Sequence, residues 1–253
     1  MEKQILPHAL KTDVFNKLKG KRIVLASNSP RRKDILRTIG LEPDIIPSTF
    51  AENLPSSEYA HQIHEYPVAT ASHKAIEVYE RLVEQDPDNA PDLVIAALLA
   101  DTVVLTHGSE VASNVARSVI ESALGQTSQE ILEKPIDKAD NLRMLLDLNG
   151  NVCEVVTGVV VVFPVLQSPG YKTQSIDERT LVYFADNHES LVEAYVESGE
   201  GIDRAGGFAI QGLGSLLIRK VEGDYNNVVG FPVASFYKLL EMLIEEDEDF
   251  LEI

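Results

Sequence analysis

The sequence predicts an α/β fold, because short apolar strands alternate with amphipathic helices along its length and one strand, Leu93 to Ala100, is continuously apolar. A run of that kind is how a central strand buried on both faces reads. The first strand, Arg22 to Ala26, enters Ser27-Asn28-Ser29-Pro30 and then a helix whose apolar face carries Ile35, Leu36 and Ile39. Ser29 is a natural N-cap, Pro30 fits the first helical position and Gly40 supplies the stop. A second strand, Asp44 to Pro47, leads into a polar loop around Glu52, and Pro67 to about Leu82 shows helical spacing with Lys74 at the edge of the stripe. The buried strand is expected to end at Asp101-Thr102. An amphipathic helix is expected over 109–124, another from Asp137 to Asn149-Gly150, a strand over Val152 to Val165, a loop over 166–175 and a strand over Glu178 to Phe184. A helix near Glu189 to Ser198, a glycine-rich stretch to Gly214, a strand near Leu216 to Val221 and a helix from about Val233 to Glu245 complete the pattern.

Composition narrows the function. With 253 residues and 44% hydrophobic content the chain can bury an ordinary core, in one domain or two closely fused lobes. A formal charge of -18 argues against broad attraction to nucleic acid or to an anionic membrane, so an anionic ligand must meet a local cationic patch. Glu245 to Asp249 reads as a solvated acidic tail. The one cysteine, Cys153, excludes an internal disulfide framework and reads as a core residue. No leader pattern or long apolar run is visible, and a cytoplasmic location is expected.

Some residues point to chemistry. Arg31, Arg32 and Lys33 stand in the first turn after Ser29, where a helix already carries roughly half a positive charge. That crowding becomes favourable once the loop binds an anion, with Ser27, Ser29 and free backbone N–H groups as further donors. The plain alternative is a capped helix with solvated cations. Asp101 follows the buried strand at the position where open α/β sheets place ligands, though an aspartate there also caps a turn. Lys134 precedes the N-cap Asp137, and an exposed surface lysine is its simpler reading; Lys74 at the margin of an apolar face also fits a lysine that snorkels into solvent. His61 and His64 lack further metal ligands and read as surface residues. No G-x-x-x-x-G-K-[ST], H-E-x-x-H or G-x-S-x-G motif is present.

Five ordered blocks resemble the Maf family of nucleotide pyrophosphatases: Leu25-Ala26-Ser27-Asn28-Ser29-Pro30-Arg31-Arg32, Ala100-Asp101-Thr102-Val103-Val104, Ile131-Leu132-Glu133-Lys134-Pro135-Ile136-Asp137, Ala209-Ile210-Gln211-Gly212 and Asn227-Val228-Val229-Gly230-Phe231-Pro232. The glutamate form of the Lys134 block is similar to the eukaryotic branch. The resemblance implies a mixed central sheet flanked by helices, two lobes around a nucleotide-binding cleft, and hydrolysis of a nucleoside triphosphate to the monophosphate and pyrophosphate with Mg²⁺ or Mn²⁺. It assigns Ser27, Ser29, Arg31 and Arg32 to the triphosphate, Lys74 and Lys134 to charge neutralisation, Asp101 to the catalytic base, and Asp101 with Glu52 to the metal. Asn227 joins the substrate-binding set. Arg31, Thr102 and Gln211 resemble members that prefer dTTP and UTP, the glutamine facing the base. The implied organisation is an N-terminal extension (1–20), one catalytic domain (21–245) with an inserted helix at about 109–125, and an acidic tail (246–253). Partners reduce to the nucleotide, without nucleic acid or membrane, and a homodimer is compatible.

The chain departs from the family pattern at Ala96-Ala97-Leu98-Leu99, where a shorter link is usual, in the extra helix, at Ala51 and at Arg204. Two other functions stay open on sequence: a nucleotide-binding regulatory protein with a misplaced Asp101, and a different metal-dependent phosphohydrolase.

Overall fold

The computed structural model describes residues 4–51, 54–55, 59, 64–107, 131–246 and 250–252, with the backbone course alone for 98–107 and 131. In chain order these residues form α1 (Asp13–Lys17), β1 (Ile23–Leu25), α2 (Pro30–Thr38), β2 (Asp44–Ile45), α3 (Glu65–Gln85), β3 (Leu93–His107), β4 (Ile131–Leu132), α4 (Lys138–Leu148), β5 (Val152–Pro164), β6 (Tyr171–Phe184), α5 (Glu189–Ser198), β7 (Ile218–Glu222), α6 (Tyr225–Val229) and α7 (Val233–Glu246). The strand order is β2-β1-β3-β5-β6-β7, with β4 paired to β3. β1 runs parallel to β2 and β3, whereas β3–β4 and β6–β7 are antiparallel, so the sheet is mixed. By contact the chain divides into two compact units, one made of Met1–Leu99, Thr157–Glu178 and Asn226–Ile253, the other of Ala100–Val156 and Arg179–Tyr225.

In the first unit, alternation along the apolar strands feeds two layers. Val24, Ala26, Val94, Ala96, Val160 and Val162 meet the α3 stripe of Ala71, Ala75, Val78, Tyr79 and Leu82. Ile23, Leu25, Leu93, Ile95, Val161 and Phe163 meet Leu36 of α2 and Phe236, Leu239, Leu240 and Leu243 of α7. Strands apolar on both sides are therefore covered on both sides, as their composition requires. α3 sits close to the sheet at its start: a Cβ on Gly158 would lie 2.6 Å from the Pro67 carbonyl carbon and from Val68 N.

Residues 4–18 and 250–251 both pack in this unit. Gln4 forms side-chain hydrogen bonds with both Ile23 N (2.6 Å) and Ile23 O (3.0 Å). Val14, Phe15 and Leu18 are buried in the core, and Phe250 packs edge-on against Phe163. Residues 13–17, within the expected extension, are thus a packed helix. Of the acidic run, Glu245 and Glu246 are exposed and 247–249 lie outside the described residues, while Phe250 and Leu251 behind them are buried.

In the second unit, β4 pairs Leu132 with Val104 and Ile131 with Leu105. α4 begins at N-cap Asp137, whose carboxylate accepts from Asp140 N, and α5 ends at Gly199 in the left-handed region at φ 75°. Cys153 is buried, as its sequence context predicts, and burial pushes its thiol pKa up.

Two expectations need correction. β3 does not end at Asp101-Thr102 but continues to His107, because β-branched Val103, Val104 and Thr106 favour strand and β4 supplies a partner. The strand is unbroken through Ala96-Leu99. β6 begins at Tyr171, inside the expected 166–175 loop. The helix expected over 109–124 lies outside the described residues.

Candidate active site

In the first unit, the turn between β1 and α2 holds the residues predicted for anion binding. The chain leaves β1 with Ser27 N donating to Leu25 O (2.9 Å) and enters α2 at Pro30. Ser29 occupies the N-cap with φ -70° and ψ 115°, but its side chain makes no capping bond. Its Oγ is buried without a hydrogen-bond partner. An oxygen left in that state costs about 1–3 kcal/mol unless something else satisfies it. The sequence therefore locates the cap correctly and misjudges what the hydroxyl does.

Arg32 is 3% exposed. Its Nη1 donates to Ser27 Oγ at 2.5 Å and its Nε to Gly230 O at 3.3 Å. Ser27 Oγ also accepts from Ser29 N at 3.2 Å, so the serine's two lone pairs face inward and its proton is available to donate. Burying a guanidinium in this way fixes its fork before any ligand arrives. Arg31 and Lys33 are half-buried on the same turn.

The Gly230 carbonyl is a partner that residue-type reasoning missed. It is presented by the segment after α6, where Gly230 has φ 140° and Gly230 N and Phe231 N both donate to Asn226 O (2.7 and 2.9 Å). Asn227, predicted to bind substrate, is buried with its Nδ2 donating to Glu178 O at 3.1 Å. That bond ties α6 to β6.

Lys74 is 7% exposed on α3, which removes the snorkelling alternative. One turn along α3, Glu77 anchors the polar loop that follows β2: its carboxylate accepts from Ser48 Oγ (2.7 Å), Thr49 N (3.0 Å), Thr49 Oγ1 (2.9 Å) and Arg81 Nε (2.7 Å). Burial opposes its charge, yet these hydrogen bonds prevail and hold the carboxyl below its usual pKa. Phe50 in the same loop stacks on His73 at 4.9 Å. Glu52 and His61 lie outside the described residues, and His64 is half-buried immediately before α3.

In the second unit, Asp101 and Thr102 occupy adjacent positions inside β3. Lys134 is 44% exposed with Nζ 3.8 Å from Asp203 Oδ1. Its segment is joined to the glycine-rich stretch where Gly206 N donates to Glu133 O at 3.1 Å. Gln211 is exposed at the far end of that stretch. Lys134 and Gln211 thus share one connected substructure. Ser27, Ser29, Arg31, Arg32, Lys74 and Asn227 belong to the first unit, and Asp101, Thr102, Lys134 and Gln211 to the second.

Among the described residues there is no cluster of three or more histidine, cysteine or acidic side chains able to hold a metal, and no helix is long and apolar enough to cross a membrane. The two carboxylates expected at a metal, Glu52 and Asp101, fall outside the described side chains.

The family model described as Maf-like protein matches residues 22–243. The chain is 41% identical over 232 residues to a human protein named probable bifunctional dTTP/UTP pyrophosphatase/methyltransferase protein, covering 91% of this chain and 33% of the relative. It therefore spans about a third of that relative's length. It is 37% identical to a dTTP/UTP pyrophosphatase of Schizosaccharomyces pombe, covering 94% of this chain and 90% of the relative. A dTTP/UTP pyrophosphatase of Deinococcus radiodurans is 36% identical, with 87% and 91% covered.

Proposed function

The chain belongs to the Maf-like protein family, and from that premise we propose that it is a nucleoside triphosphate pyrophosphatase acting on dTTP and UTP, releasing the nucleoside monophosphate and pyrophosphate. The observation that carries the reading is the β1–α2 turn. A buried, pre-aimed Arg32 and an unpartnered Ser29 hydroxyl stand at a helix N-terminus, in a molecule whose formal charge is -18. Charge of one sign concentrated against the net balance suits a polyphosphate.

Each residue then has a task. Arg32 and Arg31 meet phosphate oxygens with their forks, Ser27 and Ser29 donate hydroxyl hydrogen bonds, and Lys74 and Lys134 offset charge that grows as the P–O bond breaks. Water adds to the α-phosphorus, pyrophosphate leaves, and the Asp101 carboxylate accepts the water's proton. A divalent cation, Mg²⁺ or Mn²⁺, would be held by the Asp101 and Glu52 carboxylates, whose hard oxygen donors suit it, and would supply charge neutralisation for the phosphates. Asn227 acts from behind, holding the α6 segment that presents Gly230 O to Arg32. Gln211 and Thr102 address the pyrimidine. A single buried thiol and a nucleotide substrate fit action in the cytoplasm.

Incubation with Mg²⁺ and a panel of triphosphates tests this reading. Monophosphate and pyrophosphate in equal amounts, fastest from dTTP and UTP, are expected. Orthophosphate as the first product, or binding without turnover, would overturn it.

A further inference from the structure

The glycine-rich stretch that carries Gln211 has few side chains of its own to hold it, yet it is fixed at several points by neighbours within the second unit. Glu200 spans the turn after Gln211: its Oε1 accepts from Leu213 N at 3.1 Å and its Oε2 from Gly214 N at 3.0 Å. The carboxylate fits there because residue 212 is glycine, since a Cβ at that position would stand 2.1 Å from Glu200 Oε1. Ahead of Gln211, the Tyr195 hydroxyl accepts from Ala209 N at 3.1 Å. Farther back, the buried Asn141 donates through Nδ2 to Gly207 O at 2.9 Å. Burial and then the neighbouring Glu200 carboxylate push the Tyr195 phenol pKa up, which places tyrosine and glutamate in one electrostatic cluster. Gln211 lies between the two clamps with its side chain exposed.

We propose that Glu200, with Tyr195, is a positioning residue for base selection: by gripping the backbone on both sides of Gln211 it fixes the point from which the amide reaches the base. The proposal rests on the reading that Gln211 faces the pyrimidine. A glutamine amide both donates and accepts, so on a wandering loop it can satisfy many base edges, whereas from a fixed Cα it satisfies those at one reach and direction. A carboxylate suits the task because both its oxygens accept, giving two charge-assisted bonds to adjacent N–H groups. An amide in its place offers one accepting oxygen and sets an N–H₂ group against the second N–H.

Glu200→Gln tests the proposal alongside Gln211→Ala as the reference. The variant is expected to lower the kcat/KM preference for UTP over CTP and ATP by about fivefold, mainly through KM for UTP, with kcat within about twofold of wild type. Amide exchange at Leu213 and Gly214 should accelerate by about tenfold while that within Val192 to Val196 is unchanged. An unchanged ranking in Gln211→Ala overturns the base-contact reading, and this proposal with it. A changed ranking in Gln211→Ala with the wild-type ranking in Glu200→Gln overturns this proposal alone. If Glu200→Gln does not fold, Tyr195→Phe, which removes the acceptor for Ala209 N and the hydroxyl's bond to Glu200, should shift the ranking in the same direction by a smaller factor; a wild-type ranking there overturns the proposal.

Discussion

The β1–α2 turn and the glycine-rich stretch hold candidate ligand-binding groups in opposite ways. In the turn, the candidate side chain is itself buried: Arg32 is locked by Ser27 Oγ and Gly230 O. In the glycine-rich stretch the candidate side chain, Gln211, is exposed and its backbone neighbours are locked instead, by Glu200 and Tyr195. A phosphate is the same group on every nucleotide, so a rigid cation suits it. A base differs between nucleotides, and an amide on a fixed support leaves selectivity open to adjustment without disturbing the charge site.

The sharpest break in the comparison comes from removing chemistry while leaving both supports intact. Asp101→Asn is expected to lower kcat by about 10²–10⁴-fold, the range of a general base. Its melting temperature should stay within about 2 °C, a shift corresponding to less than ~1 kcal/mol. Steady-state kinetics and calorimetry check both parts, and near wild-type turnover would exclude the assigned role.

Next in size is Arg32→Lys, which keeps the charge and loses the fork. A decrease of about 100-fold in kcat/KM is expected for every triphosphate alike, with an unaltered base ranking. A change confined to one base would contradict the division of labour between the two regions.

Ser29→Ala sharpens the same division. Its hydroxyl oxygen is buried without a bond in the fold, so the ligand-free variant should be more stable to denaturant, by up to about 1–3 kcal/mol, while kcat/KM falls about tenfold, as for one hydrogen bond to a charged group. A stability loss without a kinetic one would mean that the oxygen serves the fold.

The smallest effect concerns the loop anchor in α3. The Glu77 carboxyl is held below the ordinary glutamate range in the folded protein, so its contribution to stability is complete above the unfolded value and disappears as pH falls through the folded one. Glu77→Gln should therefore cost about 1 kcal/mol near neutral pH, and the difference from wild type should narrow below about pH 4. Urea denaturation across that pH range measures it, and a gap that widens in acid would reverse the assignment.

Much of this is legible from residues alone, and the failures have physical causes. Pro30, Gly40 and the apolar spacing between them mark α2 because local steric rules operate there. α5 spans Glu189–Ser198 as its pattern indicates. The end of β3 is misread because a polar pair looks like punctuation, whereas the strand's continuation depends on Ile131 and Leu132, distant in sequence. The first half of β6 carries Lys172, Thr173, Gln174 and Ser175, a polar run with no buried face to announce a strand. At the site, residue types such as Arg32 and Ser29 are readable. Their partners are not, since Gly230 lends a backbone carbonyl from 198 residues away and a carbonyl leaves no trace in residue identity.

The absence of a side chain at position 158 sets a mechanical datum for the first unit. Because the backbone at Pro67 and Val68 rests directly on that strand residue, the altitude of α3 is referenced to bare main chain, with nothing compressible between. A single methyl wedged there would tilt the rod about its foot, and the ammonium of Lys74, two turns up, would sweep through the larger arc. Placement of that cation is thereby delegated to the smallest kind of residue, far removed from it in sequence and with no side chain to offer a ligand.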